Sequence, residues 1–367
     1  MDSLFERRYS AARRLMAQLD IDLLLVNNRE NLIYFTGLTD IECLAILIPR
    51  EAPPCAVTLW LDVEFVRQKT GLDTYGYSFP KGNLAATVIE RIKAYGMEQP
   101  TIGFERYFVG FSVYDALRQV FPETKFTNAS DLFYRIRAIK DSTELHYMRQ
   151  AGAAVAKGME AAVRAVERGV TELEVLAEAE YAMLKSGSGG SPFRPQVVSG
   201  ERTLLTHPCA GEKKIQDGEV VVIHLGATYN GYCAKMCRTV AVGEIGNGKR
   251  ATYELLVRAQ EAAIKALVPG STTGGIDAAA REVIRAAGLE KYYLDVIGYG
   301  VGIRQSEFYP ILCRNGTDKI ETGMVVDLLL PTIYKPDIGG PRITDCIYVD
   351  TTGPELLTDC PRQLVQK

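Results

Sequence analysis

"EVVVIHLGATYNGYCAKMCRTVAVG", residues 219–243, decides how this chain is read. An apolar strand, a turn region at Gly231-Tyr232 and a second strand ending Arg238-Thr239 give the outline of a hairpin of the kind that carries a metal site. Where such a hairpin would present carboxylates, this one presents His224 and Lys235. His224 sits in the apolar run "VVVIHLGA", where burial without a partner is costly. It reads either as a satisfied core histidine or as a group lining a cavity. An ammonium at a buried strand position either pairs with an acid or has a lowered pKa. Lys235 therefore faces the cleft, suited to a substrate carboxylate or to work as a base, or else the strand turns outward there and the lysine is solvated.

Working outward, the texture on either side is that of an α/β protein. Residues 1–130 alternate a helix bearing Leu4, Tyr9, Leu15, Met16 and Leu19 with strand-like runs such as "DLLLV", "CLAILIP", "CAVTLWL" and "TIGFE", and with amphipathic helices near 84–96 and 111–120. Asp141 with Glu144, and Thr171 with Glu174, are capping boxes opening two further helices. From residue 187 loop gives way to strands, then a helix pair near 250–267 and 274–287, then strands at 293–303, 324–334 and 342–350. The second domain, 131–367, is thus expected to consist of two similar α/β halves around a central cleft.

Composition excludes several classes. At net charge −3 and without a basic block, nucleic acid is not an expected partner. No apolar run approaches the roughly 20 residues that span a bilayer, and the mixed-charge N-terminus carries no signal-peptide core, so no membrane role is expected and the setting is expected to be cytoplasmic. The eight cysteines form no C-x-x-C pair and read as small buried residues. "GYGVG" and "GSGGS" lack the strand–glycine–helix arrangement of a dinucleotide site. No cofactor is expected.

Several stretches together resemble the creatinase, prolidase and aminopeptidase P family: "NLIYFTG" (31–37), the junction "IRAIKDSTEL" (136–145), the hairpin, "GYGVGIRQSE" (298–307), "GMVVDLLLPTIY" (323–334) and "RITDCIYV" (342–349). The resemblance implies an N-terminal creatinase-type domain followed by a pita-bread domain. It also implies a two-metal site of two Asp, one His and two Glu. Those five positions fall here on His224, Lys235, Tyr299, Leu330 (with Leu329 as neighbouring choice) and Thr344. Two divalent ions bring roughly four positive charges together and need carboxylates to offset them. This set offers none, so no metal is expected and a metallopeptidase is excluded at this stage.

The same family implies a metal-free precedent in creatinase, which hydrolyses a C–N bond with a histidine on the loop before the first core strand. "TLLTHPCAGEKKI" (203–215) puts His207 at that place. An imidazole can accept and return a proton near neutral pH, although a loop histidine also serves as a plain surface residue. A hydrolase of this kind would hold His207 inside a closed cavity with Glu307 or Glu42 converging on it. Glu307 keeps a family glutamate, either orienting a base or pairing with Arg304, while Ser306 replaces a second family histidine. Cys237 and Leu330 replace the glutamates that grip creatine, and Arg304 offers an anion contact. Glu42, on a first-domain loop "TDIECL" that the family uses to close the cleft, could meet a cationic group. Cys209 beside His207 is an alternative nucleophile.

The expectation is a metal-independent hydrolase of a C–N bond in a small polar, carboxylate-bearing metabolite. His207 and Glu307 would be catalytic, and Lys235, His224, Tyr299, Arg304, Cys237 and Glu42 would bind substrate. The alternatives are a catalytically inactive family member that binds a ligand or protein, and a lyase using Lys235 or His207 as base. The resemblance also implies a homodimer.

Overall fold

A computed structural model describes residues 3–40, 44–105, 110–330 and 333–367. The chain divides into two compact units, Met1–Arg137 and Ala138–Lys367.

The first unit runs α1 (Ser3–Gln18), β1 (Leu23–Val26), α2 (Arg29–Thr36), β2 (Ala45–Pro49), β3 (Cys55–Leu59), α3 (Val63–Thr70), β4 (Asp73–Tyr77), α4 (Leu84–Ala94), β5 (Ile102–Phe104), α5 (Phe111–Val120), β6 (Phe126–Asn128) and α6 (Ser130–Ala138). Its six strands form one mixed sheet in the order β4-β3-β2-β1-β5-β6. β1 and β2 read as unbroken apolar runs because every residue of both is buried. The α1 pattern is explained by Tyr9 and Met16, which are buried. Tyr9 stacks on Phe35 of α2 and donates its hydroxyl to the Phe35 carbonyl. Leu19 lies beyond the helix end and is exposed.

The second unit opens with α7 (Ser142–Ala165) and α8 (Glu172–Lys185), each started by the capping box its sequence announces: Asp141 with Glu144, and Thr171 with Glu174. Then come β7 (Gln196–Ser199), β8 (Glu219–Tyr229), β9 (Tyr232–Val242), α9 (Asn247–Ala266), α10 (Thr273–Ala286), β10 (Val296–Gly300), β11 (Glu307–Cys313), β12 (Val325–Leu330), β13 (Ile343–Asp350), β14 (Gly353–Leu356) and β15 (Val365–Gln366). The sheet order is β11-β10-β12-β13-β9-β8-β7, with β14 on β13 and β15 on β9. Helix pair and strands occur twice, and the two strand sets meet where β13 pairs β9. α7 packs under β8 and β9, and α9 under β12 and β13, so one face of the sheet is covered by helices. The core beneath α9 and α10 includes Leu256, Ile276, Val326, Leu328 and Ile343. Among the described residues no helix is long and apolar enough to cross a membrane.

Candidate functional site

The site is built on the β8–β9 hairpin. Its two eleven-residue strands are joined by Asn230-Gly231, both with positive φ (46° and 82°), the signature of a two-residue turn matched to strand twist. That dipeptide, rather than the Gly-Tyr step, makes the turn. The register sets His224 opposite Cys237 and Gly226 opposite Lys235. Directly paired residues share a sheet face, and faces alternate along a strand. Following the pairing sideways, Leu329, Thr344, Cys237, His224 and Gln196 form one row across β12, β13, β9, β8 and β7. Leu330 pairs Ile343, a residue of the helix-side core, so Leu329 is the position in register with the row. Gly226 has a structural reason: a Cβ there would lie 2.5 Å from the Phe193 ring and 2.9 Å from Pro192. Only glycine lets the 192–193 loop lie over the strand, where Phe193 packs on the His224 ring at 4.8 Å.

Lys235 faces inward, its side chain 2% exposed. Its ammonium is ion-paired with Asp327 of β12 and donates to Gln305 Oε1 at 3.0 Å and Ser306 Oγ at 2.9 Å. All three protons are therefore engaged. Asp327 Oδ1 accepts from the Tyr299 backbone N–H at 2.6 Å. Burial pushes the Asp327 carboxyl up, and the neighbouring ammonium opposes that shift. Gly298 permits the close approach of β10, since a Cβ there would fall 2.1 Å from the Asp327 carbonyl oxygen. The lysine thus ties the 305–306 loop to the sheet. Asp327 went unremarked in the sequence, although a single acid inside "MVVDLLLP" is a signal of a buried partner.

His224 is 8% exposed, and its imidazole is held well below the usual range by burial and then by the positive charges of Lys235 and Arg342. It is neutral. Arg342, also unremarked in the sequence although it opens "RITDCIYV", immediately precedes β13 and donates to Gln196 Oε1 of β7 at 3.1 Å and to the Leu205 carbonyl on the following loop at 2.7 Å. Besides Asp327 Oδ2, which the Lys235 ammonium ion-pairs, three buried polar atoms on this face have no hydrogen-bond partner among the described residues: His224 Nε2, Arg342 Nε and Thr344 Oγ1.

The other expected residues are dispersed. His207 is exposed on the loop before β8 instead of lying in a closed cavity, and no described contact brings Glu307 to it. Glu307, 2% exposed at the start of β11, accepts from the Arg304 backbone N–H at 3.3 Å. Its carboxylate and the Lys140 ammonium approach Gly302 to within 3.2 and 3.6 Å of the place a Cβ would take. The Arg304 side chain lies over the Phe308 ring at 5.2 Å. Tyr299 is half-buried. Cys237 packs in an apolar cluster with Val198 and Val222, and burial pushes its thiol up to about 12, so it is not positioned as a polar substrate contact. Cys209 is engaged by Arg194 and not by His207, which removes the Cys–His pair. Glu42 lies outside the described residues.

The donor set of the cleft does not suit a divalent ion. Among the described residues no three His, Cys, Asp or Glu side chains are grouped to hold one. At the positions the resemblance assigns to ligands stand a neutral imidazole, an ion-paired ammonium, a phenol and a hydroxyl, with the Arg342 guanidinium beside them. Hard divalent ions need oxygen anions, and these side chains do not fit one.

Comparison with known proteins gives the context. The family model described as Metallopeptidase family M24 matches residues 146–351, and the Creatinase/Prolidase N-terminal domain matches residues 8–139. The Xaa-Pro dipeptidase of Pyrococcus furiosus is 28% identical over 352 residues, covering 96% of this chain and 97% of that protein. The solved Xaa-Pro dipeptidase from Bacillus anthracis superposes with a TM-score of 0.91 at 29% identity, over 99% of this chain and all of that one. The prolidase from Pyrococcus horikoshii OT3 gives 0.89 at 28% identity, over 98% of this chain and 100% of that one. The pita-bread architecture is therefore shown. The same findings overturn the expected metal-independent, creatinase-type hydrolase of a carboxylate-bearing metabolite, and with it the exclusion of a metallopeptidase. The similar proteins are Xaa-Pro dipeptidases within a metallopeptidase family, and they give no support to an inactive binding module or a lyase.

Proposed function

This chain belongs to metallopeptidase family M24, and from that premise we propose that it is a peptidase of small substrates, hydrolysing dipeptides of the Xaa-Pro type. The observation that carries this reading is the end-to-end likeness to Xaa-Pro dipeptidases, which runs through both units. A fold alone hosts many chemistries; 28% identity over 352 residues to an Xaa-Pro dipeptidase says more than fold.

The reaction adds water across an amide C–N bond and releases a free amino acid. In this proposal His207, exposed on the loop before β8, carries a proton to the leaving nitrogen, and Tyr299 and Arg304 contact substrate at the cleft. Lys235 and Glu307 act by holding the 302–307 segment, the first through Gln305 and Ser306 and the second through the Arg304 backbone. The described side chains of the cleft do not fit a metal ion. We further propose a homodimer in the cytoplasm; unpaired cysteines such as Cys55, Cys233 and Cys346 support a reducing compartment.

The test is release of free proline from a panel of Xaa-Pro dipeptides, followed by proton NMR. The protein is first stripped with chelator and then given manganese, cobalt, zinc or magnesium singly. Free proline in at least one of these conditions is expected, with His207→Ala lowering kcat about 10²-fold or more. A folded protein that releases no proline in any condition overturns the reading.

A further inference from the structure

The loop that carries His207 is tied at both ends to one buried side chain. Glu172, the first residue of α8, is wholly shielded from solvent. On the outgoing limb its carboxylate accepts from the Ser199 backbone N–H at 2.8 Å, the Ser199 hydroxyl at 3.0 Å and Arg202 Nε at 3.1 Å. On the returning limb it accepts from the Gly211 N–H at 3.1 Å. Arg202, paired with this carboxylate, reaches across the loop and donates to the Cys209 carbonyl. The backbone follows the same seam: the Glu172 N–H donates to the Lys213 carbonyl and the Leu173 N–H to the Gly211 carbonyl. The outgoing limb has two further ties, with Thr203 Oγ1 accepting from the Gly340 N–H and the Leu205 carbonyl accepting from Arg342. The returning limb, Cys209 to Gly211, is held by Glu172 and Arg202, with Arg194 at the Cys209 thiol. His207 stands between the limbs, exposed, and makes no hydrogen bond or ion pair among the described residues.

We propose that Glu172 is the positioning residue for His207: by fixing both limbs of the loop to the start of α8, its carboxylate sets where the imidazole stands. The work given to His207 rests on the peptidase reading; the hold of Glu172 on the loop does not. Fixing a loop costs backbone entropy at every residue, and a tip without polar ties of its own takes its position from its base. The base here is strong for a physical reason. An ionised carboxylate only accepts, so both of its oxygens can face the converging donors of Ser199, Arg202 and Gly211. Hydrogen bonds to a charged acceptor are also roughly twice as strong as neutral ones. Glu172→Gln keeps the shape and turns one of those oxygens into a donor, which then faces a donor of the loop.

Two readouts test this, one of them independent of activity. The chain has three histidines, His146, His207 and His224, and the His207 ring resonance is the one missing from His207→Ala. Glu172→Gln is expected to shift that resonance and to leave the His146 resonance in place. In proline release from an Xaa-Pro dipeptide, Glu172→Gln is expected to lower kcat about tenfold or more while KM moves by less than about twofold. Combined with His207→Ala it is expected to be no slower than His207→Ala alone, because a residue acting through His207 then has nothing left to act on. A merely structural role would slow the His207→Ala protein by the same factor again. Arg202→Gln is the milder cut: it removes the reach to Cys209 from a partly exposed side chain and leaves Glu172 with Ser199 and Gly211. It is expected to shift the His207 resonance in the same direction by less, and it decides the matter if Glu172→Gln does not fold. The inference is overturned if a folded variant leaves the His207 resonance unmoved, or if the two losses of kcat multiply. A shifted His207 resonance in a protein that releases no proline in any condition would keep the positioning role and remove the peptidase reading. Proline release with an unmoved His207 resonance would do the reverse.

Discussion

The two faces of the β9–β13 pair carry polar groups in opposite conditions. On the helix side, Arg238 and Asp345 form a buried ion pair whose own charged atoms are met within the protein. Arg238 donates to Asp345 and to the carbonyls of Cys237, Thr344, Cys360 and Pro361, while Asp345 also accepts from Gln260 and Thr358. One residue along each strand, on the cleft side, Thr344 Oγ1 has no partner and Cys237 separates it from the equally unpartnered His224 Nε2. Burial alone does not mark a functional group. What distinguishes the cleft face is that several open polar atoms share it, where the Arg238–Asp345 network leaves Gln260 Oε1 open.

Variants can break or sharpen that contrast. The largest effect is expected from Arg238→Met, which leaves Asp345 buried without its charge partner and should cost about 3–5 kcal/mol in urea unfolding. A loss below 1 kcal/mol would show that the helix-side pair is not closed as described. Lys235→Met should cost about as much at pH 8, for the same reason at Asp327, with an added pH signature. Burial raises the Asp327 carboxyl above the ordinary value and Lys235 opposes the rise. A carboxyl raised on folding binds its proton more tightly folded than unfolded, so stability is retained below the unfolded pKa near 4 and lost as pH rises through the folded value. In Lys235→Met the opposing ammonium is gone. The Tm gap to the unsubstituted protein should therefore widen from about pH 4 to pH 8, and a gap constant with pH would contradict the pairing.

Removing both charges, as Lys235→Met with Asp327→Leu, is expected to recover most of the stability lost in the single variant, because no uncompensated charge remains. A double variant no more stable than Lys235→Met would mean that the ties to Gln305 and Ser306 dominate instead. The smallest effect is expected from Gly231→Ala, which forces a side chain onto a positive-φ turn position and should cost about 1 kcal/mol without altering ligand binding.

Local patterns carried much of this in the sequence. Both capping boxes, the apolar strands and the helix pairs were legible because each is written within a few residues. The inward direction of Lys235 was open between two readings, since its partner Asp327 stands on another strand and pairing across a sheet leaves no local trace. The position matching the fourth ligand was ambiguous between Leu329 and Leu330 for the same reason: only the register with Thr344 and Ile343 separates them. His207 was expected in a closed cavity from the resemblance to creatinase, and a loop's exposure is set by what folds over it. The function expected from missing carboxylates was corrected by similarity over the whole chain, a kind of information no single residue carries.

The central claim is that this chain hydrolyses Xaa-Pro dipeptides. The most direct measurement is proline release from an Xaa-Pro dipeptide by the chelator-stripped protein and then with each divalent cation supplied in turn. The account predicts cleavage in at least one of these conditions. A folded protein that releases no proline in any of them would contradict it.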